Sequence, residues 1–224
     1  MSVDRLIATA IVLAIMLLVA FPVHEFSHAL AAWRLGDGTA RLFGRLTLDP
    51  RAHFDRVGGT LLAVTMVVSA LQSGSAFGFG WARPTPVNPL NLRGGRRSEA
   101  IVALAGPASN LVLAMIAAVP IRLVVALDLP VPGVVVLVLY DFVLINVALA
   151  LFNLIPIPPL DGSRALFALL PPRTAWRWQA LVEQYGTVLL LLAVFVPFLP
   201  GGRTVVEFIF GALADPLIRL LLGL

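Results

Sequence analysis

The chain of 224 residues contains no cysteine, and all sixteen of its basic residues are arginine. Without cysteine there is no disulfide framework, no thiolate metal site and no sulfur nucleophile, so any metal has to be held by histidine and carboxylate. Histidine is itself scarce, at three residues, and charged residues make up 12% of the chain against 59% hydrophobic. That balance excludes an ordinary soluble domain. The arginine excess gives a net charge of +4 and a pI near 10.9, which in a soluble chain would point to nucleic acid. In a chain this apolar the same excess is a topology signal, and no nucleic-acid partner is expected.

What the sequence has in abundance is long apolar runs. Leu6 to Ala32, Ile101 to Leu127, Val134 to Phe152, Thr187 to Leu199 with its flanks, and Val205 to Leu224 each suit a membrane helix. The first is too long for a cleaved signal peptide. Ser163 to Gln184, with Arg164, Arg173, Trp176, Arg177 and Trp178, reads as amphipathic and interfacial. Ala40 to Leu48 partly alternates apolar and polar residues, the pattern of a small β-ribbon. Such a ribbon is either an edge able to hold an extended substrate or a cap over helix ends. Val57 to Gly80 is apolar and then glycine-rich, and reads as re-entrant or partly inserted rather than as a full span. Trp81 to Pro89 carries three prolines and cannot be regular helix. The expected fold is an all-α polytopic integral membrane protein with about five to six membrane helices, a re-entrant segment and a small β-ribbon near the active site. It forms a single membrane-embedded domain over 1–224, with a core at 6–162 and accessory helices at 163–224.

The chemistry concentrates in two stretches. In Val23-His24-Glu25-Phe26-Ser27-His28, a helix places His24 and His28 one turn apart on one face, with Glu25 beside them. Two nitrogen ligands and a carboxylate able to deprotonate water are what a zinc hydrolase requires. A bare HExxH also arises by chance. Here, however, three ionisable residues fall within an apolar run, where each costs about 2.5–3.5 kcal/mol at the centre of a membrane helix. His24 lies about 27 Å beyond Leu6 at ~1.5 Å per residue, near the far boundary of a ~30 Å core. The second stretch is Asn153-Leu154-Ile155-Pro156-Ile157-Pro158-Pro159-Leu160-Asp161-Gly162. Its prolines force an extended path that presents Asp161 from a loop at a helix end, and Gly162 permits unusual dihedrals or close approach. Alone this is an ordinary turn; beside a two-histidine helix, Asp161 is the best third ligand available. His53 reads as a turn residue or else a ligand or proton carrier, Asp141 as an interfacial or hydrogen-bonded carboxylate or else a buried functional acid, and Asn110 as a hydrogen-bonding group across the bundle or else a site residue.

His24, His28 and Asp161 can share an ion only at one depth, so the first span and Val134 to Phe152 have to run in the same direction. Residues 57–80 then begin and end on one side. On that path thirteen arginines face the cytoplasm, and Arg5, Arg122 and Arg203 lie outside, a strong positive-inside bias.

HEFSH followed by Asn153-x-x-Pro156 and Leu160-Asp161-Gly162 resembles the paired motifs of the site-2 protease family of intramembrane zinc metalloproteases. The segments FGWARPTPVNP and AGPASN look like those of its short bacterial members, and 224 residues leave no room for a PDZ or CBS domain. The resemblance implies one Zn2+ per chain on His24, His28 and Asp161, with Glu25 as catalytic base. It implies that Asn153 contacts substrate backbone or helps stabilise the oxyanion. It further implies a multi-pass protein of the cell membrane with its active site nearer the cytoplasmic face, cleaving a transmembrane protein such as an anti-sigma factor within the lipid bilayer. A metal transporter would need polar groups at several depths, and a silent scaffold would not need all four chemical residues intact.

Overall fold

The computed structural model describes residues 3–73, 78 and 80–223. The described residues form an all-helical bundle. Helix α1 (Val3–Ile15) runs through a π turn (Met16–Ala20) into α2 (Phe21–Arg34), making one continuous apolar rod, Val3–Arg34. The π turn has a local cause. Pro22 has no N–H to continue the ladder, and the preceding Phe21 N–H reaches back five residues to the Met16 carbonyl. Two short helices follow, α3 (Thr39–Leu42) and α4 (Pro50–His53), then α5 (Arg56–Ser73), α6 (Arg96–Ala126), α7 (Gly133–Asn153), α8 (Asp161–Leu169), α9 (Pro172–Phe195) and α10 (Val205–Leu222).

Among the described residues, four helices are long and apolar enough to cross a membrane: Val3–Arg34, Arg96–Ala126, Gly133–Asn153 and Pro172–Phe195. Helix α10 carries Glu207, Asp215 and Arg219, and the apolar part of α5 is shorter. Of the five to six membrane helices expected, these four meet the requirement by length and composition among the described residues. Most of the surface of these rods is not buried by protein, and residues such as Ile116 and Val125 point outward, as suits helices solvated by lipid. Helix α6 sits at the centre and packs against α2, α7 and α8, while α1 packs on α7. The core draws Val12, Met16 and Ala20 from the first rod, Leu62 and Met66 from α5, Ala114 and Ala118 from α6, Val143 and Val147 from α7, and Ala214 from α10. The alanines where α6 meets its neighbours let the rods approach closely.

Two regions differ from the sequence expectation. No strand is formed among the described residues of the expected ribbon at 40–48. Asp37 Oδ1 instead accepts the Thr39 N–H at 3.0 Å and the Thr39 hydroxyl at 2.5 Å, which nucleates the turn of α3, as Asx side chains do at helix starts. Likewise, the interfacial helix expected over 163–184 and the apolar run after it are divided differently, with α8 ending at Leu169 and α9 running unbroken from Pro172 to Phe195. Pro171 and Pro172 set that break.

The re-entrant segment falls partly outside the described residues, at 74–77 and 79. Its two ends nevertheless meet. The Arg83 N–H donates to the His53 carbonyl at 2.8 Å, just before α5 begins. A Cβ on Gly78 would press on Met66, and one on Gly80 would lie 2.4 Å from the Gly58 carbonyl. From Gly78 the chain therefore runs along the first half of α5, from Met66 towards Gly58.

Candidate metal centre

His24 and His28 project from one face of α2, and Asp161 is the first residue of α8. The chain between these two motifs folds so that the three side chains meet. Asp161 Oδ2 lies 3.2 Å from His24 Nε2 and 3.2 Å from His28 Nε2, and the two Nε2 atoms are 3.1 Å apart. The side chains are only 9% to 15% exposed. Gly162 enables the approach: a Cβ there would stand 2.2 Å from the Leu154 carbonyl oxygen, so close contact is what this glycine provides.

The donor set fits a zinc ion. The His28 Nδ1 lies 2.7 Å from the Val102 carbonyl, which can only accept, so Nδ1 carries the proton and Nε2 presents a lone pair. His24 Nδ1 faces the Asn110 amide oxygen at 2.5 Å and is fixed in the same way. Three lone pairs thus confront one another, and Asp161 Oδ2 is buried without a hydrogen-bond partner among the described residues. Such an arrangement is repulsive until a cation lies among the donors. Its size agrees as well, since a tetrahedron with ~2.0 Å metal–ligand bonds has edges of about 3.3 Å. His24, His28 and Asp161 are also the cluster of metal-ligating groups found among the described residues.

Glu25 is held from the proline-rich segment. The Thr85 N–H donates to Glu25 Oε2 at 2.8 Å, and the Thr85 hydroxyl donates to the Glu25 carbonyl at 3.0 Å. That segment is anchored in turn by Asp37, which is fully buried. Asp37 accepts from the Asn88 N–H at 2.7 Å and the Asn91 amide at 3.1 Å, besides its two bonds from Thr39. Burial alone would raise the Asp37 carboxyl. The bonds from Thr39, Asn88 and Asn91 outweigh it and hold the pKa below the ordinary carboxylate value. Arg45, itself buried, donates to the carbonyls of Ala52 and Arg83 and ties the same loops together.

Other residues singled out in the sequence lie elsewhere. Asn153 closes α7 and donates its amide to the Leu149 carbonyl at 3.0 Å, outside the three-residue cluster. His53 is buried in its turn and donates from Nε2 to the Thr47 carbonyl at 2.8 Å. Asp141 pairs with Arg5 at 2.9 Å. Sequence reasoning did not find Thr85, and it took Gly106 only as part of the AGPASN segment. A Cβ on Gly106 would stand 2.3 Å from His28 Nε2 and 2.6 Å from His24 Nε2. The bare backbone of α6 is thus the floor on which both imidazoles rest. Its signal in the sequence was the Gly-Pro step inside a helix-length apolar run.

The family model "Peptidase family M50" matches residues 120–194, which include Asp161. The protein named "Putative zinc metalloprotease YwhC" of Bacillus subtilis is 36% identical over 218 residues, covering 92% of this chain and 94% of that protein. "Putative zinc metalloprotease Rip2" of Mycobacterium tuberculosis is 33% identical over 187 residues, covering 82% of this chain and 66% of its own length. No solved structure matches. A relative of this likeness, aligned along nearly its whole length, places the chain in Peptidase family M50, the site-2 protease family, as a membrane-embedded zinc metallopeptidase.

Proposed function

We propose that the chain is an intramembrane endopeptidase that hydrolyses peptide bonds in the membrane-spanning segment of a protein substrate. His24, His28 and Asp161 are its zinc ligands, Glu25 is its general base, and residues 1–224 act as one membrane-embedded domain with its chemical core at 6–162. The observation that carries the reading is the convergence of three donor atoms at 3.1–3.2 Å from two distant motifs.

When bound, zinc polarises the scissile carbonyl and acidifies a water molecule. The protein side chains do the rest. Glu25, oriented by the Thr85 N–H, takes a proton from the attacking water and delivers it to the leaving amine. Asn153, at the mouth of the second motif, contacts the substrate backbone or supports the developing oxyanion. A substrate helix shields its carbonyls in i→i−4 hydrogen bonds, so it has to unwind locally before one of them can enter the site. Thirteen of the sixteen arginines fall on the side of the site when the first rod runs inward, which supports a cytoplasm-facing active site. On the resemblance to the family, its substrate is a single-span regulator such as an anti-sigma factor.

The test is Glu25→Gln in purified protein. Its zinc content should equal that of the wild type, while cleavage of a membrane-spanning substrate falls at least ~100-fold. Cleavage at the wild-type rate would remove Glu25 from its assigned role.

A further inference from the structure

A buried hydrogen-bond chain runs away from His24 across two helices. His24 Nδ1 meets Asn110 Oδ1 at 2.5 Å, Asn110 Nδ2 meets Asn146 Oδ1 at 3.0 Å, and Asn146 Nδ2 meets the Phe142 carbonyl at 2.9 Å. Asn110 and Asn146 are both completely buried. Two asparagines in apolar helices are costly unless their groups are satisfied, and here the bonding follows one direction. The terminal group is a backbone carbonyl of α7, which can only accept. It therefore turns the Asn146 amino group towards itself and the Asn146 oxygen towards α6. That oxygen turns the Asn110 amino group towards α7 and the Asn110 oxygen towards His24. An imidazole facing an acceptor has to carry its proton on Nδ1, leaving the Nε2 lone pair for the centre shared with His28 and Asp161.

We infer that Asn110 and Asn146 are positioning residues: a relay of fixed polarity, anchored on the Phe142 carbonyl, that holds His24 in its metal-ligating tautomer. The inference rests on the ligand assignment proposed above. It also explains an asymmetry between the two histidines. His28 takes its acceptor directly from the α6 backbone at Val102, where no amide can rotate. His24 faces a side-chain amide that could present either end, and Asn146 removes that freedom. Partners that orient a ligating histidine typically contribute 10–100-fold in metal affinity.

The experiment uses the full chain in detergent and two readouts besides activity. Zinc affinity is measured by competition with a chromophoric chelator. The proton position on each imidazole of the zinc-free protein is read by NMR with 15N-labelled histidine, where three rings have to be resolved. Wild-type His24 should be protonated at Nδ1. Asn110→Leu should bind zinc about 10–100-fold more weakly and lose the Nδ1–H signature of His24 alone, whereas Asn110→Asp, which still offers His24 an oxygen, should stay within about fivefold of wild type. Asn146→Leu should give His24 a mixture of tautomers. A folded Asn110→Leu chain with zinc affinity within about twofold of wild type overturns the relay. Should that variant not fold, the wild-type spectrum decides: a His24 proton on Nε2 overturns the relay as well. A wild-type chain that binds no zinc would instead sink the ligand assignment itself, a distinct result.

Discussion

At the scale of single residues, the centre depends as much on an atom that is missing as on those present. Gly106 gives the imidazoles of His24 and His28 their floor, and a methyl group there would occupy space within 2.6 Å of both Nε2 atoms. Gly106→Ala is expected to leave the chain helical, since alanine favours helix more than glycine does. It should still weaken zinc by at least ~10-fold, because both proposed ligands have to turn aside. Chelator competition beside far-UV circular dichroism checks both halves of this expectation. The residues proposed as ligands were legible in the sequence, because a two-histidine turn and a proline-stiffened aspartate carry their chemistry in spacing alone. The glycine floor was not, since only the packing of α6 on α2 reveals which glycine a ring rests on.

At the scale of elements, the loops beside α2 are organised by one carboxylate. Asp37 joins the end of α2 to α3 and to the Asn88–Asn91 turn, and so holds the segment whose Thr85 grips Glu25. Removing it in Asp37→Ala leaves several buried donors unsatisfied and should cost about 2–4 kcal/mol, read as a lower unfolding temperature in detergent. The pH dependence follows from its depressed pKa. With the folded-state value below the unfolded one, the contribution is fully present above the unfolded pKa of about 3.9 and is lost as pH falls through the folded value. The stability gap between wild type and Asp37→Asn should hold steady from about pH 7 to 5 and narrow below about 4. The β-ribbon expected just after this residue shows why loops resist sequence reading. Alternation at 40–48 was a weak local pattern, and the side-chain bonds of Asp37 favoured a helical turn in its place.

At the scale of the whole molecule, a second polar tie lies far from the zinc site. Arg5 and Asp141 pair at 2.9 Å between α1 and α7, with the carboxylate 5% exposed. Arg5 precedes His24 by about 28 Å along the rod at ~1.5 Å per residue. Asp141→Leu takes the carboxylate away from a partly buried cation and should destabilise the bundle by about 3 kcal/mol, with much of that recovered in the Arg5→Leu, Asp141→Leu double variant. Zinc affinity should not change in either, and a double-mutant cycle on thermal unfolding alongside chelator competition tests this. The sequence by itself determined that the chain is a helical membrane protein, because runs of apolar residues have one stable form in lipid. It also singled out the residues proposed to carry the metal chemistry, because ligand type and helical spacing are local properties. Tertiary structure alone decided how those residues are supported: the glycine beneath the rings, the threonine on Glu25 and the asparagine chain behind His24. These depend on which faces of α2, α6 and α7 meet, and close packing between rods sets that over distances no local pattern records.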